Sequence, residues 1–190
     1  DNSNYDRCET GPAQVILTRD RGNVTGLRVT VGGRAPQGDS DLGEVSPAEA
    51  SRFLLDQAPK LDGKSADHAV MGAAIADGNV PWRRMLAIAR DQEASESARK
   101  ACVFWVSQEA GSAATAGLDS IASDNDASIG VRSDALFFLA QRENGEGIPA
   151  LIRVVESSKS VKLKKDAVWF LGQSRDPRSL ALFEKLLTNR

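Results

Sequence analysis

Apolar positions in the second half of this chain fall at helical spacing, and the whole pattern then recurs at a longer period. Three octads rich in aromatic residues, Lys100–Ser107, Ser133–Ala140 and Lys165–Gly172, are each followed by a glutamine. These are Gln108, Gln141 and Gln173, so the repeat length is 33 and then 32 residues. Within the octads Cys102, Val103 and Val106 correspond to Ala135, Leu136 and Leu139, and to Ala167, Val168 and Leu171. An earlier, degenerate copy stands in register at Ala69, Val70 and Ala73. A second apolar set follows each, at Met85, Ile88 and Ala89; Leu118, Ile121 and Ala122; Leu151, Val154 and Val155; and Phe183, Leu186 and Leu187. Its i, i+3, i+4 spacing predicts a second helix per unit. Four units of two helices are therefore expected, at about residues 65–94, 95–127, 128–160 and 161–190. A unit of this size cannot bury its apolar side alone, so neighbours must share one continuous core.

The N-terminal stretch has a different period. Val15, Ile16 and Leu17, then Val24, Leu27, Val29 and Val31, flank Asp20-Arg-Gly-Asn23, which predicts a β-hairpin. Gly32 to Glu44 is rich in Gly, Pro, Asp and Ser and reads as a linker, so residues 1–44 form an appendage and residues 45–190 a helical domain. Ser46-Pro-Ala-Glu49 is a capping box with proline at the first helical position, predicting a helix from Pro47 to about Ala58. Gly63 is read as a helix stop before a Ser65 cap. Arg175-Asp-Pro177 supplies a cap and first-position proline for the last helix.

Ala-Val-Trp-Phe-Leu-Gly-Gln-Ser-Arg-Asp-Pro-Arg-Ser-Leu, residues 167–180, resembles the first helix, turn and second-helix start of HEAT-like repeats. Lys164, Arg132 and Arg99 stand at the basic position preceding that helix. The likeness covers about residues 65–190, is weakest in the first unit, which lacks the glutamine turn, and excludes the hairpin. It implies a mainly α fold, a right-handed α-solenoid of helix pairs behind a short β-hairpin. The resemblance also implies a binding scaffold whose second helices line the concave side.

Composition narrows the chemistry. Apolar residues make up 41% and charged residues 26%, values of a chain that folds rather than one that stays disordered. The net charge of −2 is uneven: residues 128–190 hold 11 Lys and Arg against 7 Asp and Glu. That excess is small beside the basic footprint of a phosphate-binding domain, so nucleic-acid binding through the C-terminal third is the alternative function, not the first. No apolar run is long enough to span a bilayer. The opening Asp1-Asn-Ser-Asn-Tyr5, without an initiator Met, fits both an exported, processed protein and a trimmed chain, so localisation stays open.

Candidate catalytic groups are few. His68 is the only histidine, and one His with two distant Cys makes no zinc site. Cys102 aligns with Ala135 and Ala167, which makes it a small core residue, with a bridge to Cys8 as the other reading. Gly63-Lys-Ser65 lacks the earlier glycine of a phosphate loop, because Ala58 occupies that place. Asp39, Asp41 and Glu44, and Asp124 with Asp126, lack calcium-loop spacing and read as turn residues. Asn23-Val-Thr25 matches a glycosylation acceptor, meaningful only in a secretory path that modifies it. No enzyme activity, cofactor or metal is expected.

What remains is surface. At about 100° per residue, Phe104, Phe137 and Trp169, preceded by Met71, turn away from the Cys102–Ala135–Ala167 side. They form an outward row beside Gln108, Gln141 and Gln173, either an interface or packing beneath the hairpin or a neighbouring unit. On the second helices Ser120, Arg153 and Lys185 form another outward row, near Asp91, Asp124, Ser157 and Asn189. Leu180, Leu182, Phe183, Leu186 and Leu187 end the pattern without a polar cap, so another subunit or further sequence is expected to cover them, with a homodimer as one outcome. The function read from the sequence is non-enzymatic protein binding through one or both rows.

Overall fold

The computed structural model describes residues 11–32, 40–76, 81–108 and 111–188. Period-2 alternation gives strands β1 (Ala13–Asp20) and β2 (Asn23–Val31), paired antiparallel with Leu17 opposite Leu27 and Val15 opposite Val29. Arg21 and Gly22 between them have φ of 47° and 88°. Two left-handed residues in succession make the turn whose twist matches the strands. A register shift at Thr18/Arg19 marks a bulge.

Nine α-helices follow among the described residues. Helix α1 (Pro47–Gln57) starts at the capping box, with Ser46 Oγ accepting from Glu49 N at 3.3 Å and Glu49 Oε2 accepting from Ser46 N at 3.1 Å. It ends in a 3₁₀ turn over Ala58–Lys60. Then come α2 (Gly63–Ala76), α3 (Trp82–Arg90), α4 (Glu96–Ser107), α5 (Ser112–Ser123), α6 (Ile129–Ala140), α7 (Ile148–Ser157), α8 (Val161–Ser174) and α9 (Pro177–Thr188). Serine caps at Ser95, Ser128 and Ser160 open α4, α6 and α8, each Oγ accepting the backbone N–H three residues on. These caps recur at 33 and 32 residues, a signal the aromatic octads overshadow.

The helices form two layers. In one, α2, α4, α6 and α8 pack in succession; in the other, α3, α5, α7 and α9 do so much more loosely. Between the layers, α3 packs best on α4, α5 on α6 and α7 on α8, each on the first-layer helix that follows it, and α1 packs on α2 in the same way. Met85, Leu118, Leu151, Val106, Leu139 and Leu171 fill the space between the layers, each at most 1% exposed.

The hairpin docks on α2. Leu27 and Val29, both 4% exposed, enter the core. The Leu27 N–H donates to Ser65 Oγ at 3.2 Å and the Val29 N–H to His68 Nδ1 at 3.4 Å, so two side chains of α2 satisfy the strand edge that no third strand among the described residues pairs. Gly72 permits the approach, because a Cβ there would stand 2.8 Å from Val29 Cγ2 and 3.0 Å from Leu54 Cδ1.

Two expectations need correction. Gly63 is not a stop before a Ser65 cap: α2 starts at Gly63, whose N–H donates to Asp62 Oδ1 at 2.8 Å, and Ser65 serves β2 instead. Val168, aligned with buried Val103 and Leu136, is 40% exposed because no helix follows α8 in its layer among the described residues.

Gly72→Ala is expected to destabilise the protein by about 1–3 kcal/mol through overpacking, and to speed amide exchange at Leu27 and Val29. An unchanged denaturation midpoint and exchange rate would detach the hairpin from the core. Leu139→Ala is expected to cost about 2–5 kcal/mol and to exceed Leu171→Ala in urea denaturation, since the central site has neighbours on both sides. A third expectation concerns pH. Hydrogen bonds from Arg178 hold the Asp176 carboxyl at about 2, below an ordinary 3.8. A folded value below the unfolded one stabilises fully above 3.8 and loses that contribution as pH falls towards about 2. Arg178→Ala should therefore flatten the acid limb of a stability-against-pH curve, and an unaltered limb would refute this.

Candidate functional site

Adjacent aromatics at positions 104–105, 137–138 and 169–170 are carried on helices whose inner stripe is apolar, so one ring of each pair turns in and the other out. Trp105, Phe138 and Phe170 are partly buried against the core, while Phe104, Phe137 and Trp169 are 44%, 46% and 61% exposed. The rings join into one line. Centroids lie 5.4 Å apart for Trp105 and Phe104, 5.9 Å for Phe104 and Phe138, and 5.1 Å for Phe138 and Phe137. The line continues at 6.0 Å to Phe170 and 5.3 Å to Trp169. Each step is edge-on or tilted, the geometry in which ring edge and ring face attract. Six rings on three helices thus brace one another across the outer surface of the first layer. Met71, read as the start of this row, is partly buried against the core.

Polar side chains border the rings one turn away. Gln108, Gln141 and Gln173 are exposed; the first two are also the C-caps of α4 and α6, and Gln173 lies within α8. Gln108 Nε2 donates to Ser107 Oγ at 3.1 Å. On the other side Lys100 pairs with Glu96 at 3.2 Å, and Ser133 Oγ and Lys162 Nζ each donate to Asp166 Oδ2 at 2.8 Å. Burial acts to raise Asp166, and those two hydrogen bonds outweigh it and leave its carboxyl lowered. Asp134 is pushed up, first by burial, against the pull of Lys100.

The second-layer row is built differently. Arg153 pairs with Asp119 of α5, and Lys185 pairs with Glu156 of α7 at 2.9 Å. Arg84 of α3 pairs in the same way with Asp56 of α1 at 2.8 Å. Arg153 and Lys185 link neighbouring helices of the second layer, Arg84 links α3 to α1, and Ser120 is half-buried. Exposed pairs of this kind contribute about 0–1 kcal/mol each. Their effect is to hold Arg153 and Lys185 within the surface. Asp124 accepts from Asp126 N at 3.0 Å, a local turn, whereas Asn189 lies outside the described residues.

The remaining candidates are occupied or unpoised. His68 is engaged by β2, and burial pushes the Cys102 thiol up to about 12, far from a reactive thiolate. Cys8 and Asp39 lie outside the described residues, and Asp41 accepts from Gly43 N at 2.9 Å. Among the described residues no three His, Cys, Asp or Glu side chains group as metal ligands, and no helix is long and apolar enough to cross a membrane. A groove of about 610 Å³ that sequence patterns did not signal lies beside the hairpin turn, lined by Leu17, Arg19, Val24, Leu42, Phe53 and Lys60 among others. Its lining comes from elements far apart in the sequence. No family model, curated protein or solved structure significantly matches the chain.

Proposed function

We propose that residues 63–188 form a right-handed, HEAT-like α-solenoid that works as a non-enzymatic protein-binding scaffold, with the six-ring line as its contact surface. The observation carrying this reading is that Phe104, Phe137 and Trp169 stay exposed although each touches a partly buried ring beside it. Large apolar surface held rigid in this way favours association, because the rings lose little freedom when a partner covers them. Gln108, Gln141 and Gln173 add uncharged donors and acceptors along the edge. The rings lie on the outer face of the first layer, whose helices pack more extensively on one another than those of the second, and this reading takes that face as the contact surface in place of the Ser120–Arg153–Lys185 row that the family resemblance favours.

The test uses the partner identified by cross-linking to the intact chain, then purified and titrated calorimetrically. Phe104→Ser, Phe137→Ser and Trp169→Ser are each expected to weaken binding tenfold or more. Stability should change by about 1 kcal/mol through lost ring contacts. A loss of about 3–5 kcal/mol with binding per folded molecule unchanged would make the rings internal packing. Binding to DNA that falls steeply with salt and ignores the ring substitutions would favour the nucleic-acid alternative.

A further inference from the structure

The link between α6 and α7 is a short 3₁₀ turn over Glu143–Gly145, and two of its residues are left-handed. Asn144 has φ of 53° and Gly145 of 65°. Each identity has a local cause. Asparagine is among the few residues with a side chain that adopt this conformation readily. Gly145 is required by a neighbour, because a Cβ there would stand 2.5 Å from Arg178 Nη2 and 2.7 Å from Asp176 Oδ2. Arg178, in the first turn of α9, needs that approach: its Nη2 donates to Gly145 O at 2.8 Å. The turn against which α9 is seated therefore contains an Asn-Gly pair, the one pair of its kind in the sequence.

Such a pair carries chemistry of its own. Glycine has no side chain to shield its neighbourhood, so the Gly145 nitrogen can attack Cγ of the Asn144 side chain. The N–Cγ bond forms, and the side-chain amide leaves as ammonia with the proton from the Gly145 nitrogen. Water then opens the five-membered imide at one of its two carbonyls. One opening leaves aspartate at position 144, and the other leaves isoaspartate, whose backbone is one carbon longer. Nothing is oxidised or reduced, and water is the only co-reactant.

The folded turn opposes the first step. Ring closure requires the Gly145 nitrogen to rotate until it eclipses the Cα–Cβ bond of Asn144, and at ψ of 20° it lies far from that position. That rotation would carry the Gly145 carbonyl off Arg178 and part Glu146 N from Glu143 O, which it meets at 3.1 Å. Arg178 is fixed in turn by Asp176, whose Oδ1 and Oδ2 accept from its Nε and Nη2 at 2.8 and 2.7 Å. Asn144 itself is exposed, so water reaches it and the backbone angle restrains the reaction.

We infer that Asn144 is a self-modifying site gated by α9: unreactive while Arg178 holds Gly145, and deamidated when that contact opens. A carboxylate at position 144 adds a charge beside Glu143 and near Glu146, and the isoaspartate form lengthens the loop that the Glu146–Glu143 hydrogen bond closes. Glu146 also accepts from Thr115 Oγ1 at 2.8 Å, so the change reaches α5. Helix ends open locally at a lower free energy than the whole fold. The converted fraction thus records how often the α9 turn has opened. The site is independent of the ring surface.

The intact chain is incubated at neutral pH and position 144 is followed by mass spectrometry of proteolytic peptides, with a free peptide of residues 141–149 as the ungated reference. The intact chain is expected to convert about tenfold more slowly than the peptide, or slower still. Arg178→Ala, its fold verified by circular dichroism, should raise the rate about threefold or more. Asp176→Ala, which frees Arg178, should raise it too. Gly72→Ala, which destabilises the far end of the stack, should leave it unchanged. Equal rates in chain and peptide, or a rate indifferent to both Arg178→Ala and Asp176→Ala, overturn the proposal. So does a rise with Gly72→Ala as large as theirs, which would assign the reaction to global unfolding.

Discussion

Cys102, Ala135 and Ala167 lie fully buried between two layers of helices, and the close approach they permit conditions everything else in this fold. A larger residue at any of them would hold neighbouring helices apart. Beside them Val103, Leu136, Val106 and Leu139 are likewise at most 1% exposed. The burial is cooperative in a literal sense: no single helix hides its own stripe, and each depends on the one placed beside it. The layers are unequally tight, first-layer helices packing more extensively on one another than second-layer helices do.

Polar groups tie this apolar stack together at its turns. Arg132 Nε donates to Ala122 O at 3.0 Å, fixing the start of α6 to the end of α5. Arg142 donates to Thr115 Oγ1 at 2.9 Å and to the carbonyls of Ser107 and Gly111, gathering the ends of α4 and α5. Arg178 holds Asp176 on one side and reaches Gly145 O at 2.8 Å on the other. Guanidinium groups suit these places because several fixed donors can satisfy carbonyls that helix ends leave unpaired. Arg132 and Arg142 thus satisfy helix ends within the fold, and Arg178 ties the turn before α9 to Gly145.

Edges are handled with the same economy. The hairpin leaves β2 with unpaired N–H groups, and Ser65 and His68 accept two of them while Leu27 and Val29 enter the core. A strand edge is thereby converted into part of the packed interior. On the outer face of the first layer each exposed ring leans on a partly buried one, Phe104 on Phe138 and Phe137 on Phe170 of the next helix, so the apolar surface is continuous.

The sequence by itself determined the helices, their spacing and which ring of each aromatic pair turns outward, because helical periodicity is local: Phe104, Phe137 and Trp169 follow from their angle to Cys102, Ala135 and Ala167 alone. The hairpin and the Ser46 capping box were legible for the same reason, as short-range patterns of strand alternation and cap chemistry. Tertiary structure decided everything that needs two distant segments. Ser65 looked like a cap because local rules favour serine before a helix, yet a strand 38 residues away claims it. Val168 looked buried because its counterparts are, and it is exposed where no described helix follows α8 in its layer. Likewise the pairing of Arg153 with Asp119 and the linking of Phe104 to Phe138 depend on which helices lie side by side, information that no periodicity within one helix contains.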